Sequence, residues 1–290
     1  MGNMNAMFAL CGINFRKWLS NPRIKIILLL VALMINNYLR GIRSFTNAVQ
    51  VSVTPWSLPF LMTTFNSLII IMLGFIFFYC DAPFLDEQQP YLIIRVGRNR
   101  FIGAQILYII LSSLVYTVFV FAITILCSLP RIEFSLKWGK IFKTLALTDA
   151  AAQFGVILSV PDSLMLHYSP IKAILVELLL IWLIGSFLGL MILVLNIHFP
   201  RIIGVGCASL FVFLDMFADF YRISHGYTSN LIYFFSPVSW ANLTVLQSGP
   251  SELQPSLPYA FTALLLLIIN FLIIALVSFK KSEIEVLPQI

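Results

Sequence analysis

The chain has 290 residues, of which 60% are hydrophobic and only 10% charged, with a net charge of +6. A soluble domain carries roughly 25% charged residues, so no water-surrounded core absorbs this composition, and a lipid bilayer is the solvent that fits. The positive balance then reads as Lys and Arg flanking apolar spans at the membrane surface rather than as a nucleic-acid footprint, and no nucleic acid is expected as a partner.

The first twenty residues are mixed and lack the compact apolar stretch and cleavage site of a secretory signal. Ala6 stands where a myristoylation signal needs Ser or Thr. Met4, Met7, Phe8, Cys11, Phe15 and Trp18 recur mostly at i+3 and i+4 steps, followed by Arg16, Lys17 and Arg23. This predicts an amphipathic helix over 1–22, lying in the cytoplasmic interface. A bilayer-spanning helix needs about 20 largely apolar residues. Six candidate spans follow, at Ile24–Leu39, Leu58–Tyr79, Phe101–Leu126, Ile171–Ile197, Ile202–Tyr221 and Leu257–Phe279. The fold class is therefore an all-α polytopic membrane protein, a single transmembrane domain over 1–290. Six spans place both termini on one side. With both inside, ten Lys and Arg fall in cytoplasmic segments and eight in outer ones. Four of the outer eight lie in one long loop, which counts for less. Both termini are therefore expected to be cytoplasmic.

Between the second and third spans lies a crowded segment. Asp81–Arg100 holds Asp81, Asp86, Glu87, Arg95, Arg98 and Arg100, whereas Ser44–Cys80 and Phe101–Pro130 contain no Asp, Glu, Lys or Arg. A charged clip between two apolar runs is a loop at the membrane surface. Asp86 and Glu87 suit the positive start of a short helix and Arg95 its negative end. Pro90 limits how early that helix begins, leaving one as short as Tyr91–Val96, and Gly97 supplies the stop. Two readings stand: a solvated hairpin with topogenic arginines, or a coupling segment that docks on a cytoplasmic partner through Asp86, Glu87, Tyr91, Arg95 and Arg98.

The third and fourth spans are joined by an outer loop over 130–170, with helical potential around Leu136–Phe154. Glu177 lies in the fourth span, Asp215 and Asp219 in the outer half of the fifth. At about 1.5 Å per residue, Glu177 lies roughly 33 Å from the turn at Pro200 and Asp219 roughly 29 Å, so the two share a depth. Acids within a membrane are costly and mark pathways for substrate or protons by default. Near the outer interface, however, such acids also reach headgroup water. Gly185 and Gly189 form a GxxxG pair, and Gly204 with Ala208 a small-xxx-small pair. Both permit close helix approach, within the bundle or between subunits. Asn66 and Asn270 are expected to hydrogen-bond between helices. A second outer loop, 222–256, contains the apolar stretch Tyr233–Leu246. Pro237 breaks it, which predicts a re-entrant or interface-lying hairpin packed on the bundle. No internal repeat supports an inverted-repeat transporter.

Cys11, Cys80, Cys127 and Cys207 show no metal spacing, and His167, His198 and His225 fit no HExxH pattern. No catalytic residue, metal site or cofactor is expected. The chain has no Walker GxxxxGK[ST] and no GxSxG.

The stretches FRKWLSNPRIKIILLL (Phe15–Leu30), DAPFLDEQQPYLIIRVGRNRFIGAQILY (Asp81–Tyr108) and FFSPVSWANL (Phe234–Leu243), set in this layout, carry a family likeness. The chain resembles type-2 ATP-binding-cassette (ABC) transporter permeases of Gram-positive bacteria, which implies a bacterial plasma membrane as its setting. The resemblance implies two permeases, the second a copy or a homologue, and two separate cytoplasmic ABC ATPase subunits. It implies that the N-terminal helix and the 81–100 loop contact the ATPase, and that Tyr233–Leu246 closes an outer gate. The forty-residue loop Arg131–Pro170 is longer than the family leads one to expect. The function so implied is that of the membrane-spanning subunit of an ATP-driven exporter, with ATP hydrolysis on a partner chain. Aromatic-rich spans, with 26 Phe in the chain, suit a hydrophobic, lipid-like or peptide cargo. The competing class is a non-transporting sensor, immunity or scaffold protein that uses the same loop. An intramembrane enzyme centred on Glu177, Asp215 and Asp219 would lack a nucleophile and a metal ligand.

Overall fold

The computed structural model describes residues 2–84, 89–246 and 254–281, and among them the only regular elements are helices. Helix α1 spans Gly2–Ser20, α2 Pro22–Val49, α3 Leu58–Thr63, α4 Phe65–Tyr79, α5 Gln89–Val96 and α6 Arg98–Ser128. Then come α7 (Gly139–Leu147), α8 (Ala150–Gln153), α9 (Asp162–His167), α10 (Pro170–His198), α11 (Arg201–His225) and α12 (Leu257–Lys281). Short 3₁₀ turns occupy Gly226–Phe235 and Ser239–Ala241. Among the described residues, α2, α6, α10, α11 and α12 are long and apolar enough to cross a membrane. The chain is an all-α, multi-pass membrane protein.

Two spans differ from expectation. The first runs on to Val49, past Arg40 and Arg43, because its polar end is satisfied inside the helix: Arg43 donates to Asn36 Oδ1 at 2.7 Å. The expected second span, Leu58–Tyr79, is broken at Thr64, whose φ/ψ of −88°/113° is extended. The hydroxyls of Thr63 and Thr64 each donate to the Phe60 carbonyl at 2.9 Å, and Ser67 donates to the carbonyls of Leu61 and Thr64. Side-chain hydroxyls thus take over backbone acceptors that a continuous helix would use. What remains, α4, is 15 residues and about 22 Å long, short of a hydrocarbon core of about 30 Å. The six expected spans are five long helices and one short one.

Helix α10 is the axis of the bundle, packing on α12, α11, α6 and α4. Its small residues explain how. A Cβ on Gly185 would overlap the buried Phe75 ring, and one on Gly189 would lie 2.6 Å from Ile109 Cγ2 and 2.8 Å from Tyr79 Cδ2. The GxxxG face is therefore used within the chain, against α4 and α6. Tyr79 locks the same junction: its hydroxyl lies 3.0 Å from Ser112 Oγ and 2.8 Å from Ser113 Oγ, and donates to the Ile109 carbonyl at 3.1 Å. These groups satisfy one another in an apolar interior where a lone hydroxyl would be costly.

The expected helix-rich loop after α6 forms a cap on one end of the bundle. Val53 N–H donates to the Arg131 carbonyl and Glu133 N–H to the Val53 carbonyl, both at 2.9 Å. Phe60 packs on Trp138 and Phe142 with centroids 5.1 and 4.7 Å apart. Asn66 and Asn270, expected to join helices, instead lie exposed, with no hydrogen bond among the described residues.

Candidate functional site

The end of the bundle opposite that cap gathers α1, the start of α2, the end of α4, and the turn between α10 and α11 around Asp81. Each arrives there for a sequence reason. Asn21 caps α2 by accepting from Arg23 N–H at 3.0 Å, with Pro22 preset at the first helical position, and this places the Arg23 guanidinium at the corner. Arg23 forms an ion pair with Asp81 and donates to Cys80 Sγ at 2.6 Å. Arg201, first residue of α11, lies 3.9 Å from the other Asp81 oxygen. Asn196 closes the corner from α10 by donating to the carbonyls of Ala82 at 2.8 Å and Cys80 at 3.3 Å. A side chain on Gly204 would displace Asn196. Burial, then the Asp81 charge, pushes the Cys80 thiol upward, while Arg23 opposes the shift.

Helix α1 seals the side of this corner against α6. Cys11 is buried, and burial raises its thiol pKa. Asn14 Nδ2 donates to Gln105 Oε1 at 3.0 Å, and Trp18 Nε1 donates to the Tyr108 hydroxyl at 2.8 Å. A cavity of about 270 Å³ remains between α1, α2, α4 and α11.

Beyond the corner the chain enters α5, one residue pair longer at its start than the Tyr91–Val96 minimum. Gly97 takes φ 89°, which ends α5 and starts α6. Ile93 is buried, whereas Ile94 is 83% exposed and flanked by exposed Arg95. Arg98 and Arg100 are exposed on the first turn of α6, and Arg100 donates back to the Val96 carbonyl at 3.4 Å. Of the expected coupling residues, Tyr91, Arg95 and Arg98 fall on or beside α5, while Asp86 and Glu87 lie outside the described residues.

The three intramembrane acids separate into two places. Asp215 and Asp219, one turn apart on α11, both serve the apolar segment expected over Tyr233–Leu246. Asp215 lies beside Ser239, and Asp219 accepts from the Tyr233 hydroxyl at 2.5 Å. Trp240 Nε1 in turn donates to the Tyr233 carbonyl at 2.7 Å. This segment is buried at Tyr233, Val238, Trp240, Ala241, Leu243, Val245 and Leu246, packed on the bundle as expected. Glu177 is fully buried on α10, and among the described residues neither of its oxygens has a hydrogen-bond partner. The shared depth inferred from residue counting does not join it to Asp219. Burial first, and then the Glu177 carboxyl, raises the Tyr168 phenol at the start of the same helix.

Sequence reasoning marked Asp81 but not its partners. A usable signal was present: Arg23 and Arg201 each follow a proline at the border of an apolar run. Among the described residues no cluster of His, Cys, Asp and Glu could hold a metal ion. No family model, curated protein or solved structure matches the chain.

Proposed function

We propose that this chain is the membrane-spanning permease subunit of an ATP-driven ABC exporter, with the Asp81 end facing the cytoplasm and a bacterial plasma membrane as its setting. The observation that carries the reading is α5. It is a short helix held on the end of a long span, presenting Ile94 and Arg95 outward, beside an α1 that lies across the same end. A free-standing topogenic loop has no need of a structured helix with an exposed apolar residue. A helix that fits a cleft on a soluble ATPase does.

Motion received at α5 passes directly into α6, since only Gly97 separates them. It passes also to the corner, where Asp81 links α4 to α2 and α11. At the opposite end, α11 carries the Asp219–Tyr233 bond and places Asp215 beside Ser239, and these hold the outer segment. One helix therefore spans from the coupling corner to the outer closure. The apolar bundle interior suits a hydrophobic, lipid-like or peptide cargo. A second permease copy or homologue is supported by Asn270, whose amide in the middle of α12 is exposed and makes no hydrogen bond among the described residues, a cost in hydrocarbon that a partner chain relieves.

Isolation of the tagged full-length chain from its native membrane in mild detergent tests this. A P-loop ATPase is expected to accompany the wild type and to be lost when Ile94→Asp and Arg95→Glu are combined. Undiminished ATPase recovery with the double variant would remove α5 from the coupling role. Recovery of intact chain without any ATPase would favour the non-transporting sensor or scaffold.

A further inference from the structure

Glu177 is an intramembrane acid with no part in the coupling corner or in fastening the outer segment. It is 0% exposed, and among the described residues neither carboxyl oxygen has a hydrogen-bond partner. With no water-sized space beside it, a proton is the ligand it has room for. Packing fixes its depth. Gly185 meets Phe75 and Gly189 meets Tyr79, and continuing that register brings Ser67 of α4 level with Glu177. Phe279 stacks on Phe101 and Phe271 packs on Phe187, so α12 runs the same way as α10. The same step back along both helices brings Phe261 level with Glu177. Beside Phe261, Tyr259 holds the Tyr233–Leu246 segment: Trp240 packs on its ring at 5.7 Å, and its hydroxyl donates to the nearby Phe234 carbonyl at 3.1 Å. That segment therefore lies at the depth of Glu177, and its Ser239–Ala241 turn packs on α10 itself.

The elements packed on α10 bring little to balance a carboxylate. α3, α4, α6 from Phe101 on, α12 up to Phe279 and the Ser239–Ala241 turn contain no Asp, Glu, Lys, Arg or His. Hydroxyls near this depth, those of Ser67, Tyr116 and Tyr259, already donate to backbone carbonyls. α11 brings Arg201 at the far end, Asp215 beside Ser239, and Asp219 bonded to Tyr233. On the first turn of α10, Lys172 lies over the Tyr168 ring at 5.6 Å. The side chains of Arg222 and His225, and all of Glu252, lie outside the described residues. A carboxylate without donor or cation is costly in an apolar interior, and a group so placed neutralises instead.

We infer that Glu177 is a proton-binding site: its carboxyl holds a proton while the Tyr233–Leu246 segment is packed, and passes it to water when that segment loosens. Release leaves a carboxylate and a hydrated proton, so the step needs no further reactant. The site stands whether or not α5 docks an ATPase. It ties the charge on α10 to the state of the segment that covers this end of the bundle.

Infrared absorption of the full-length chain in lipid vesicles at neutral pH tests the assignment. The wild-type spectrum minus that of Glu177→Gln is expected to contain the C=O band of a protonated carboxyl. Should Glu177→Gln fail to fold, wild type labelled with carboxyl-13C glutamate gives the same reading, because Glu177 is the only glutamate within a span. Transfer to heavy water is expected to shift that band slowly in wild type. In Trp240→Ala, where the covering segment is loosened, the shift is expected to be about tenfold faster, since exchange then follows local opening. Carboxylate bands in place of the protonated one overturn the proposal. So does exchange at Glu177 that is no faster in Trp240→Ala than in wild type.

Discussion

Replacing Gly185 with leucine is expected to destabilise the folded bundle by about 3 kcal/mol or more, the upper end of what overpacking an interior costs. The reason is the place where α10 meets α4. Even a single Cβ at Gly185 overlaps the Phe75 ring, and Phe75 is itself fully buried and cannot swing aside. The same change at Gly206, where a Cβ meets nothing within 4 Å, is expected to be near neutral. Thermal unfolding of the two variants in one detergent, followed by loss of monodisperse protein, separates a packing effect from a general intolerance of bulk in these helices. Because the GxxxG face lies inside the chain, Gly185→Leu is expected to lower the melting temperature of the single chain itself rather than merely dissociate a dimer.

The second large effect is expected at Trp240. Removing this fully buried indole as Trp240→Ala costs about 3–5 kcal/mol, through the cavity it leaves and the loss of contact with Tyr259. Hydrogen exchange should show that loss concentrated over Tyr233–Leu246, with α10 and α6 still protected. Trp240→Phe keeps most of the ring but strands the Tyr233 carbonyl that accepts its N–H, so about 1 kcal/mol is expected for it. If both variants exchanged like wild type over this segment, the account of Trp240 as what holds it together and against α12 would be wrong.

Charge spacing and apolar run length make most of the architecture readable in the sequence: α1, the long spans, α5 with its Gly97 stop, the helical cap and the packed apolar segment Tyr233–Leu246. Those features are local, and local signals are what run length and periodicity contain. The break at Thr64 was less visible because it depends on three hydroxyls sharing the carbonyls of Phe60, Leu61 and Thr64 in space. The far reach of α2 depended likewise on Asn36 receiving Arg43 two turns on. Pairing was the least legible level. Counting residues from Pro200 put Glu177 and Asp219 at one depth, but depth says nothing about rotation around a helix axis. Asp219 faces Tyr233, whereas Glu177 is buried with no hydrogen bond to its carboxyl among the described residues. For Asn66 and Asn270 the same missing angle reversed the expectation, since both face outward.

The corner shows how the charged clip gains meaning from three dimensions. Its first residue, Asp81, gathers Arg23 and Arg201 from helices that are distant in sequence, and Asn196 pins the carbonyls on either side of it. Exposed ion pairs contribute about 0–1 kcal/mol each, so this arrangement contributes little to fold stability. Its significance is mechanical: α2, α4, α10 and α11 cannot move at this end without disturbing one carboxylate.

The central claim is that a partner ATPase works through α5 on this bundle. Its most direct test is the hydrolysis rate of the co-isolated ATPase in lipid vesicles, measured alone, with the wild-type chain, and with the Ile94→Asp chain. The account predicts a rate raised by the wild type and returned to the basal level by the single substitution. A rate that is the same in all three would contradict it.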